Sequence, residues 1–210
     1  ISGILANQGS SGSFGLWAPD YGDLWLDSYV TDFLSRAAAQ GQPVPAEALS
    51  LALDNLANQV AYLPEKPDWA SAAYAYYVLA RNGRAAIGDL RYVADNRMDE
   101  FATPLARAQL AAALALYGDR LRAETVYRTA VASALDSDGD RLGRSDYGSA
   151  LRDAAGVVTL GLEQDIPGTD LDPLVRKVGM ERAAARYTST QDEAWSLLAA
   201  HAIVTRDKSV

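Results

Sequence analysis

The sequence contains no cysteine and only one histidine among its 210 residues. The absence of cysteine excludes disulfide bonds, zinc sites built on thiolates and a cysteine nucleophile within this chain. The single histidine, His201, excludes a metal site that uses several imidazoles. Neither absence indicates a compartment, because a protein without cysteine is stable in reducing and oxidising surroundings alike.

Basic residues are also few, with 19 Lys and Arg against 27 Asp and Glu and a net charge of −8. A surface that binds phosphates needs clustered Lys and Arg, and there is no basic stretch, so nucleic acid is not expected as a partner. The longest apolar runs, such as residues 110–117, are too short to span a bilayer, so direct membrane insertion is not expected. The chain begins at Ile1 with neither Met nor a signal-like segment, and we therefore expect a fragment or a processed chain.

Apolar residues recur at steps of three and four, which is the spacing of one helix face. The clearest stripe consists of Leu49, Ala52, Leu53, Leu56, Val60 and Leu63. β-branched residues are sparse and no segment alternates cleanly, so strands are not expected. Start and stop signals predict nine helices, at about 24–39, 45–63, 69–81, 84–96, 103–117, 119–135, 148–163, 170–186 and 190–204.

Capping residues stand at several of the predicted helix starts. Asp23 and Asp68 each precede an apolar helical pattern, and Thr103 precedes a proline, which the first turn tolerates. The segment "TQDE" at 190–193 is typical of a capping box for the last helix.

The predicted helices alternate in character. Those that begin near 24, 69, 103, 148 and 190 are apolar on most sides, as in "AQLAAALALY", whereas those between them carry one polar face. This alternation predicts an all-α fold of antiparallel hairpins in inner and outer layers, with an inner helix roughly every 34 to 45 residues. An open solenoid and a closed α/α toroid both suit it. One match to tetratricopeptide positions favours the solenoid, at Leu110, Ala111, Ala123, Tyr127 and Ala130.

A glycine-rich loop, "NQGSSGSFGLWAPDYGDLW" (7–25), leads into the first long helix. It has no lysine, no phosphate-binding glycine pattern and no strand before it, so a phosphate cradle is poorly supported. Its glycines favour a tight turn with positive backbone angles. We expect Phe14 and Trp17 to turn inward and pack beneath the end of the helix.

Part of this loop, "QGSSGSFGLW" (8–17), resembles the Gln-Trp motif of the toroids shared by terpene cyclases, protein prenyltransferases and the thioester domain of complement and alpha-2-macroglobulin proteins. Further segments resemble, in the same order, the thioester-domain region of bacterial alpha-2-macroglobulins. They are "DLWLDSYVTDFLSRA" (23–37), "YAYYVLARNGRAAIGDLRYVAD" (74–95), "TPLARAQLAAALALYGDRLRAE" (103–124), "YGSALRDAA" (147–155) and "TSTQDEAWSLLAA" (188–200). Together they cover most of the chain.

The resemblance implies that residues 1–210 form a single domain, the C-terminal part of a thioester-type toroid with about four and a half of about six hairpins. It also implies a periplasmic or cell-envelope protein in which a protease cleaves a bait region, the molecule rearranges and the protease is captured. The implied partners are the other domains of the parent protein and, through that protein, the target proteases. The domain itself is expected to be no enzyme and to need no cofactor or metal.

Many members of the family capture the protease through a thioester between the Cys and Gln of a C-x-E-Q motif, which protease lysines attack. This chain has no cysteine and cannot form that bond. The segment "GLEQ" (161–164) carries Gly161 where the cysteine would stand, and we do not interpret it as the motif. The simplest account is that the motif, if the parent has one, precedes Ile1.

Two acidic clusters suggest other functions. Asp20, Asp23 and Asp27 lie among aromatic residues, as carboxylates do in α/α-toroid carbohydrate-active enzymes. We favour the interpretation that Asp23 caps a helix and the other acids face solvent. That enzyme class and a tetratricopeptide-like binding solenoid stay as the alternatives.

The second acidic cluster hints at a calcium loop, at Asp136, Asp138 and Asp140. A twelve-residue calcium loop needs Gly at its sixth position and Glu at its twelfth, where this sequence has Arg141 and Tyr147. An ordinary loop is therefore favoured. Acidic motifs of terpene cyclases and the zinc ligands of prenyltransferases are not matched.

Inner helices of a toroid should all begin at the same end, so their first residues should gather there. The candidate domain-contact or toroid-end residues are Trp17, Tyr21, Trp25, Trp69, Tyr147, Arg152 and Gln191. We expect Arg152 and Asp153 to pair with a neighbouring loop. An aromatic end of this kind could dock another domain, shield a thioester or close the layer by packing.

Overall fold

The computed structural model describes residues 1–137, 144 and 146–207. In these residues the chain forms ten α-helices and one 3-10 turn, and its β pairing is an isolated bridge between Gln8 and Phe14. The helices are α1 (Ser2–Leu5), α2 (Leu24–Ala39), α3 (Ala46–Ala61), α4 (Trp69–Arg81), α5 (Ile87–Asn96), α6 (Pro104–Leu116), α7 (Arg120–Asp136), α8 (Ala150–Glu163), α9 (Asp172–Ala184) and α10 (Thr190–Asp207), and the 3-10 turn is Met98–Glu100. The nine predicted helices are all present, and the all-α fold class is confirmed.

The helices group into two compact units, Ile1–Ala86 and Ile87–Val210. The first unit holds α1 to α4, and the second holds α5 to α10. The interpretation of 1–210 as a single domain stays a prediction.

In the first unit, α2 packs against both α3 and α4. Helix α4 is buried on every side over residues 71–80, as predicted for an inner helix. Helix α3 buries one face, through Ala52, Leu53 and Leu56, so it has the amphipathic character predicted for an outer helix.

Two hydrogen bonds fix the directions of these helices. Gln59, near the end of α3, donates to Asp27 in the first turn of α2 at 2.7 Å. Ser35, near the end of α2, donates to Asn82 at the end of α4 at 3.0 Å. Helices α2 and α4 are therefore parallel, α3 runs against them, and the starts of α2 and α4 lie at the same end of this unit.

In the second unit, α6 and α8 are buried over most of their lengths, while α7 packs on α6 through one face. Helix α10 runs along α8, and α9 packs against α7 and α8. The last helix is less buried than expected for an inner helix. Helix α10 buries one face, which includes Trp195 and Ala199, and leaves Leu197 and Val204 exposed.

Most of the predicted caps are confirmed. The Asp23 carboxylate accepts from the Leu26 amide at 2.7 Å, and Thr103 accepts from the third residue of α6 ahead of Pro104. Asp68 likewise accepts from the second residue of α4. The capping box of α10 lies one residue earlier than predicted, because Ser189 and Asp192 cap each other's amides at 2.7 and 3.1 Å.

Candidate functional site

The glycine-rich loop forms a tight turn. Its backbone closes through the Gly9 amide, which donates to the Ser13 carbonyl at 2.8 Å, and the Gly12 amide, which donates to Gly9. Gly12 has a φ of +92°, and a Cβ there would lie 2.2 Å from the Leu51 carbonyl oxygen. Only glycine satisfies both the backbone angle and this close approach, so the interpretation of the glycines as a turn is supported.

The loop separates its aromatic residues into buried and exposed ones. Phe14 is buried and packs with Leu34 and Ala52, as predicted. The prediction that Trp17 also packs inward is wrong, because Trp17 is 93% exposed and Tyr21 is 87% exposed. The turn therefore inserts one ring into the core and holds the segment after it in solvent.

A buried carboxylate lies beneath this turn. Asp27 is fully buried and accepts hydrogen bonds from four groups: the Phe14 amide (2.7 Å), the Ser13 hydroxyl (3.0 and 3.1 Å), the Asn55 amide (2.8 Å) and the Gln59 amide (2.7 Å). A carboxylate offers about four acceptor sites, so Asp27 is fully satisfied. The expectation that this acid faces solvent is wrong, since Asp27 joins the loop, α2 and α3.

The other candidates in the first unit differ in exposure. Trp25 is buried and stacks on Tyr29, with ring centroids 5.1 Å apart and planes at 14°. Trp69, at the start of α4, is half-buried. Because the starts of α2 and α4 lie at the same end of this unit, Trp25 and Trp69 share that end with the loop that leads into α2. The predicted gathering of all seven candidates at one end of a toroid stays a prediction.

In the second unit, the start of α8 carries a buried ion network. The Arg152 guanidinium is 2% exposed and donates to Asp146 Oδ2 and Asp153 Oδ1, both at 2.6 Å. It also donates to the Asp146 carbonyl (2.7 Å) and to Gln191 Oε1 (3.0 Å). Arg144 binds both acids from the other side, at 2.6 Å to Asp146 and 2.9 Å to Asp153. Arg152 and Asp153 thus pair with the preceding loop, as predicted.

The electrostatics of this network favour the charged forms of Asp146 and Arg144. Burial alone would raise the pKa of Asp146, but Arg144 and Arg152 outweigh it and lower that pKa to about 2. Burial opposes the charge of Arg144 as well, yet the two carboxylates raise its pKa above its usual range. Each of the two arginines pairs with both of the aspartates, so no charge within this group of four is left without an opposite charge.

Backbone geometry makes room for the network. A Cβ on Gly148 would lie 2.0 Å from Arg152 Nη2, so the guanidinium occupies the space that a side chain would fill. The next residue, Ser149, caps α8 by accepting from the Arg152 amide at 2.9 Å, and its hydroxyl donates to Asp192 at the start of α10. The residue before α8 is thereby joined to the first turn of α10.

The three candidates of the second unit lie together. Gln191 donates to the Tyr147 carbonyl at 3.3 Å and accepts from Arg152. Tyr147 has a φ of 51°, which is unusual for a non-glycine residue, and its side chain is exposed. Of these three side chains only that of Tyr147 is largely exposed to solvent, whereas Arg152 is buried and holds the loop before α8. Whether the candidates contact another domain stays a prediction.

The remaining acidic alternatives receive little support. Asp23 is committed to capping and Asp27 to the buried network, so they do not form a carboxylate pair that faces an open cleft. Of the proposed calcium loop, Asp138 and Asp140 lie outside the described residues. Among the residues that are described, no cluster of three or more His, Asp or Glu could hold a metal ion.

The "GLEQ" segment is part of the helical core. Gly161 is buried in α8, and a Cβ there would lie 1.9 Å from the hydroxyl of Tyr127. That hydroxyl is fixed, since it donates to the Val157 carbonyl at 2.7 Å. A cysteine side chain would not fit at this position, which supports the interpretation that the segment is not a thioester motif.

Sequence reasoning missed three members of the buried polar sites. Arg144 and Asp146 lie in "GRSDYGSALRD", where alternating charges precede the glycine and the Ser cap, and that pattern could have indicated the network. The role of Asp27 had no such signal, because its partners Asn55 and Gln59 are distant in sequence.

In its described residues the chain is helical, and its buried polar residues mainly support its own architecture. Over 97% of its length the chain is 34% identical to the alpha-2-macroglobulin of Escherichia coli strain K12. The structure matches Salmonella alpha-2-macroglobulin reacted with methylamine (33% identity, 95% of this chain, 14% of that chain, TM-score 0.82). It also matches trypsin-activated alpha-2-macroglobulin from Escherichia coli (30% identity, 95% of this chain, 14% of that chain, TM-score 0.82). The predicted resemblance to bacterial alpha-2-macroglobulins is confirmed, and with it the α/α-toroid fold class.

The match covers most of this chain but only a small part of the relatives. The chain spans 13% of the length of the Escherichia coli relative. A scan against protein-family models finds no match. In the part of the chain that the structure describes, no helix combines the length and apolarity needed to cross a membrane.

Proposed function

We propose that this chain is the helical-toroid part of the thioester domain of a bacterial protease-trapping protein, where it serves as a scaffold and catalyses no reaction. The observation that carries the proposal is the match over 95% of the chain to alpha-2-macroglobulin structures, one of them activated by trypsin. On this proposal the protein acts in the periplasm or cell envelope, and its targets are proteases that the parent protein captures.

The covalent chemistry of such a trap would lie outside these 210 residues, because they contain no cysteine. The Salmonella relative was reacted with methylamine, a small amine of the kind that attacks an acyl thioester. The tight packing of Gly161 on Tyr127 also supports a thioester site outside these residues, since the "GLEQ" segment (161–164), which resembles the motif, has its first residue in the helical core.

Within the scaffold we propose two roles for the candidate residues. The exposed aromatics Trp17, Tyr21 and Tyr147 contact other domains of the parent protein, because rings of this size supply much of the buried area in interfaces. Trp25 and Arg152 instead hold the elements that carry them. Trp69 and Gln191 lie between these two groups in exposure.

The proposal is tested with the complete natural protein that contains this chain. After addition of trypsin, activity on a large protein substrate should fall while activity on a small peptide substrate persists, because capture encloses the protease and leaves its catalytic groups intact. A band of trypsin plus inhibitor on a denaturing gel, lost after methylamine treatment, would place a thioester elsewhere in the parent.

The control is the 210-residue chain alone, which should leave trypsin fully active on both substrates. Strong inhibition by the isolated chain would overturn the scaffold role. Failure of the complete protein to retain trypsin would overturn the trap.

A further inference from the structure

The exposed segment Gly15–Tyr21, here called the contact loop, is held at its two ends, and near its first end Asn7 also bonds the Gly15 amide and the Leu16 carbonyl. Its side chains Leu16, Trp17 and Tyr21 are largely in solvent and therefore contribute little packing. At the first end, the Phe14 amide donates to Asp27 Oδ1 at 2.7 Å. At the second end, the Gly22 amide donates to the Ser13 hydroxyl oxygen at 2.7 Å, and that hydroxyl donates to Asp27.

The two ends also touch each other. A Cβ on Gly22 would lie 2.2 Å from the Phe14 carbonyl oxygen and 3.0 Å from Asp27 Oδ1. Both ends of the contact loop therefore meet on one carboxylate, and the segment between them leaves and returns at the same place.

The carboxylate itself is fixed from the opposite side. Asn55 and Gln59, on successive turns of α3, donate to Asp27 Oδ2 at 2.8 and 2.7 Å. The donors recorded to Asp27 are all neutral groups, and hydrogen bonds to a charged acceptor are stronger than those to a neutral one. Asp27 therefore fixes the loop ends relative to α2, on which it lies, and to α3, which supplies two of its donors.

We infer that Asp27 is the positioning residue of the contact loop: it holds both loop ends and so determines how Trp17 and Tyr21 are presented to a neighbouring domain of the parent protein. That the loop meets such a domain rests on the proposed function. That Asp27 holds the loop does not, because it stands on the contacts within this unit.

The experiment measures loop mobility in the full 210-residue chain by NMR. Asp27→Ala removes the shared acceptor, and the heteronuclear NOE of Trp17 should fall. The Gly22 amide should lose at least about tenfold in exchange protection, because the Ser13 hydroxyl that accepts from it loses its own hydrogen bond to the charged carboxylate. Asp27→Asn should keep the loop ordered, because its amide oxygen still accepts from Phe14 and Ser13 while Asn55 and Gln59 turn their oxygens toward its NH₂ group.

The matched control is Asp32→Ala. Asp32 is as buried as Asp27 and lies on the same helix, but it accepts from Arg36 and Tyr74 and from no loop residue in the described contacts. A loop that loosens equally in Asp32→Ala, or that stays ordered in Asp27→Ala, would overturn the inference, since a general loss of stability would then explain the data.

Should Asp27→Ala not fold, Ser13→Ala takes its place, because it removes the link to Gly22 and leaves the carboxylate in position. A natively folded Ser13→Ala chain with unchanged Gly22 protection would overturn the inference. In the complete protein, normal trypsin capture by an Asp27→Ala variant with a loosened loop would overturn the contact role alone. Absence of capture by the wild-type protein would affect only the proposed function.

Discussion

The two units each bury aspartate carboxylates near a helix start, and they satisfy them in different ways. In the first unit Asp27 is surrounded by neutral donors from the loop and from α3. In the second unit Asp146 and Asp153 are held by the guanidinium groups of Arg144 and Arg152. The first site joins a loop to α2 and α3, and the second joins a loop to α8 and α10.

The difference determines what a mutation leaves behind. When one partner of a buried ion network is removed, the remaining charges lose compensation in a region of low dielectric. When one neutral donor to Asp27 is removed, the carboxylate keeps its other donors, and water or rotation of an amide can occupy the vacated position. The ion network should therefore be the more sensitive of the two.

The largest effect is expected for Arg152→Ala. It should lower the free energy of unfolding by about 3–5 kcal/mol, because Asp146 and Asp153 would keep only Arg144 as a cation. Asp27→Asn should cost only about 1–2 kcal/mol, since most of its hydrogen bonds can be rebuilt. Urea unfolding followed by circular dichroism measures both.

Equal costs for the two substitutions would contradict this comparison. Arg182→Ala provides a control, because its ion pair with Glu193 is on the surface and its loss should leave the urea midpoint nearly unchanged. A large effect there would indicate that arginine loss destabilises this chain for a reason other than burial.

Sequence patterns sufficed for the helices because periodicity and capping are local. The spacing of Ala52, Leu53 and Leu56, and the position of Asp23 before an apolar stripe, require no knowledge of other segments. The shift of the last capping box to Ser189 shows the limit of such patterns, since Ser189 and Thr190 are both suitable caps and tertiary bonds of Asp192 decide between them.

The buried polar sites were harder to predict for the same reason. Asp27 lies in the first turn of α2, where an acid is stabilising even when it is exposed, so its sequence position gives no sign of burial. Trp17 illustrates the opposite case, because an aromatic residue after a glycine turn is expected to be in the core, yet here the turn inserts Phe14 and leaves Trp17 in solvent.

A smaller effect is expected for Gly148→Ala, which sharpens the comparison by disturbing the ion network without removing a charge. The new Cβ would overlap the Arg152 guanidinium, which five hydrogen bonds prevent from moving freely. We expect a loss of about 1–3 kcal/mol. Gly179→Ala in α9 is the matched control, because a Cβ there meets no atom within 4 Å and should stabilise the helix by about 0.5–1 kcal/mol. A neutral Gly148→Ala would show that Arg152 is not held as tightly as its contacts indicate.

The smallest effect that distinguishes the sites is a dependence on pH. The pKa of Asp146 is about 2 in the folded chain against an ordinary value of 3.8, so its ion pairs stabilise the folded state fully above pH 3.8 and progressively less as pH falls toward 2. The part of this contribution that is lost between pH 4 and pH 2 is about 1–2 kcal/mol. Asp146→Asn should remove it, so that the urea midpoint changes less over this range than in the wild type. Some slope should persist, because Asp192, Asp95 and Asp119 also have lowered pKa values. An unchanged slope in Asp146→Asn would mean that Asp146 is not paired with Arg144 and Arg152 as the structure places it. The proposed difference between an ion-paired aspartate and the Asp27 carboxylate, which has neutral donors, would then be contradicted.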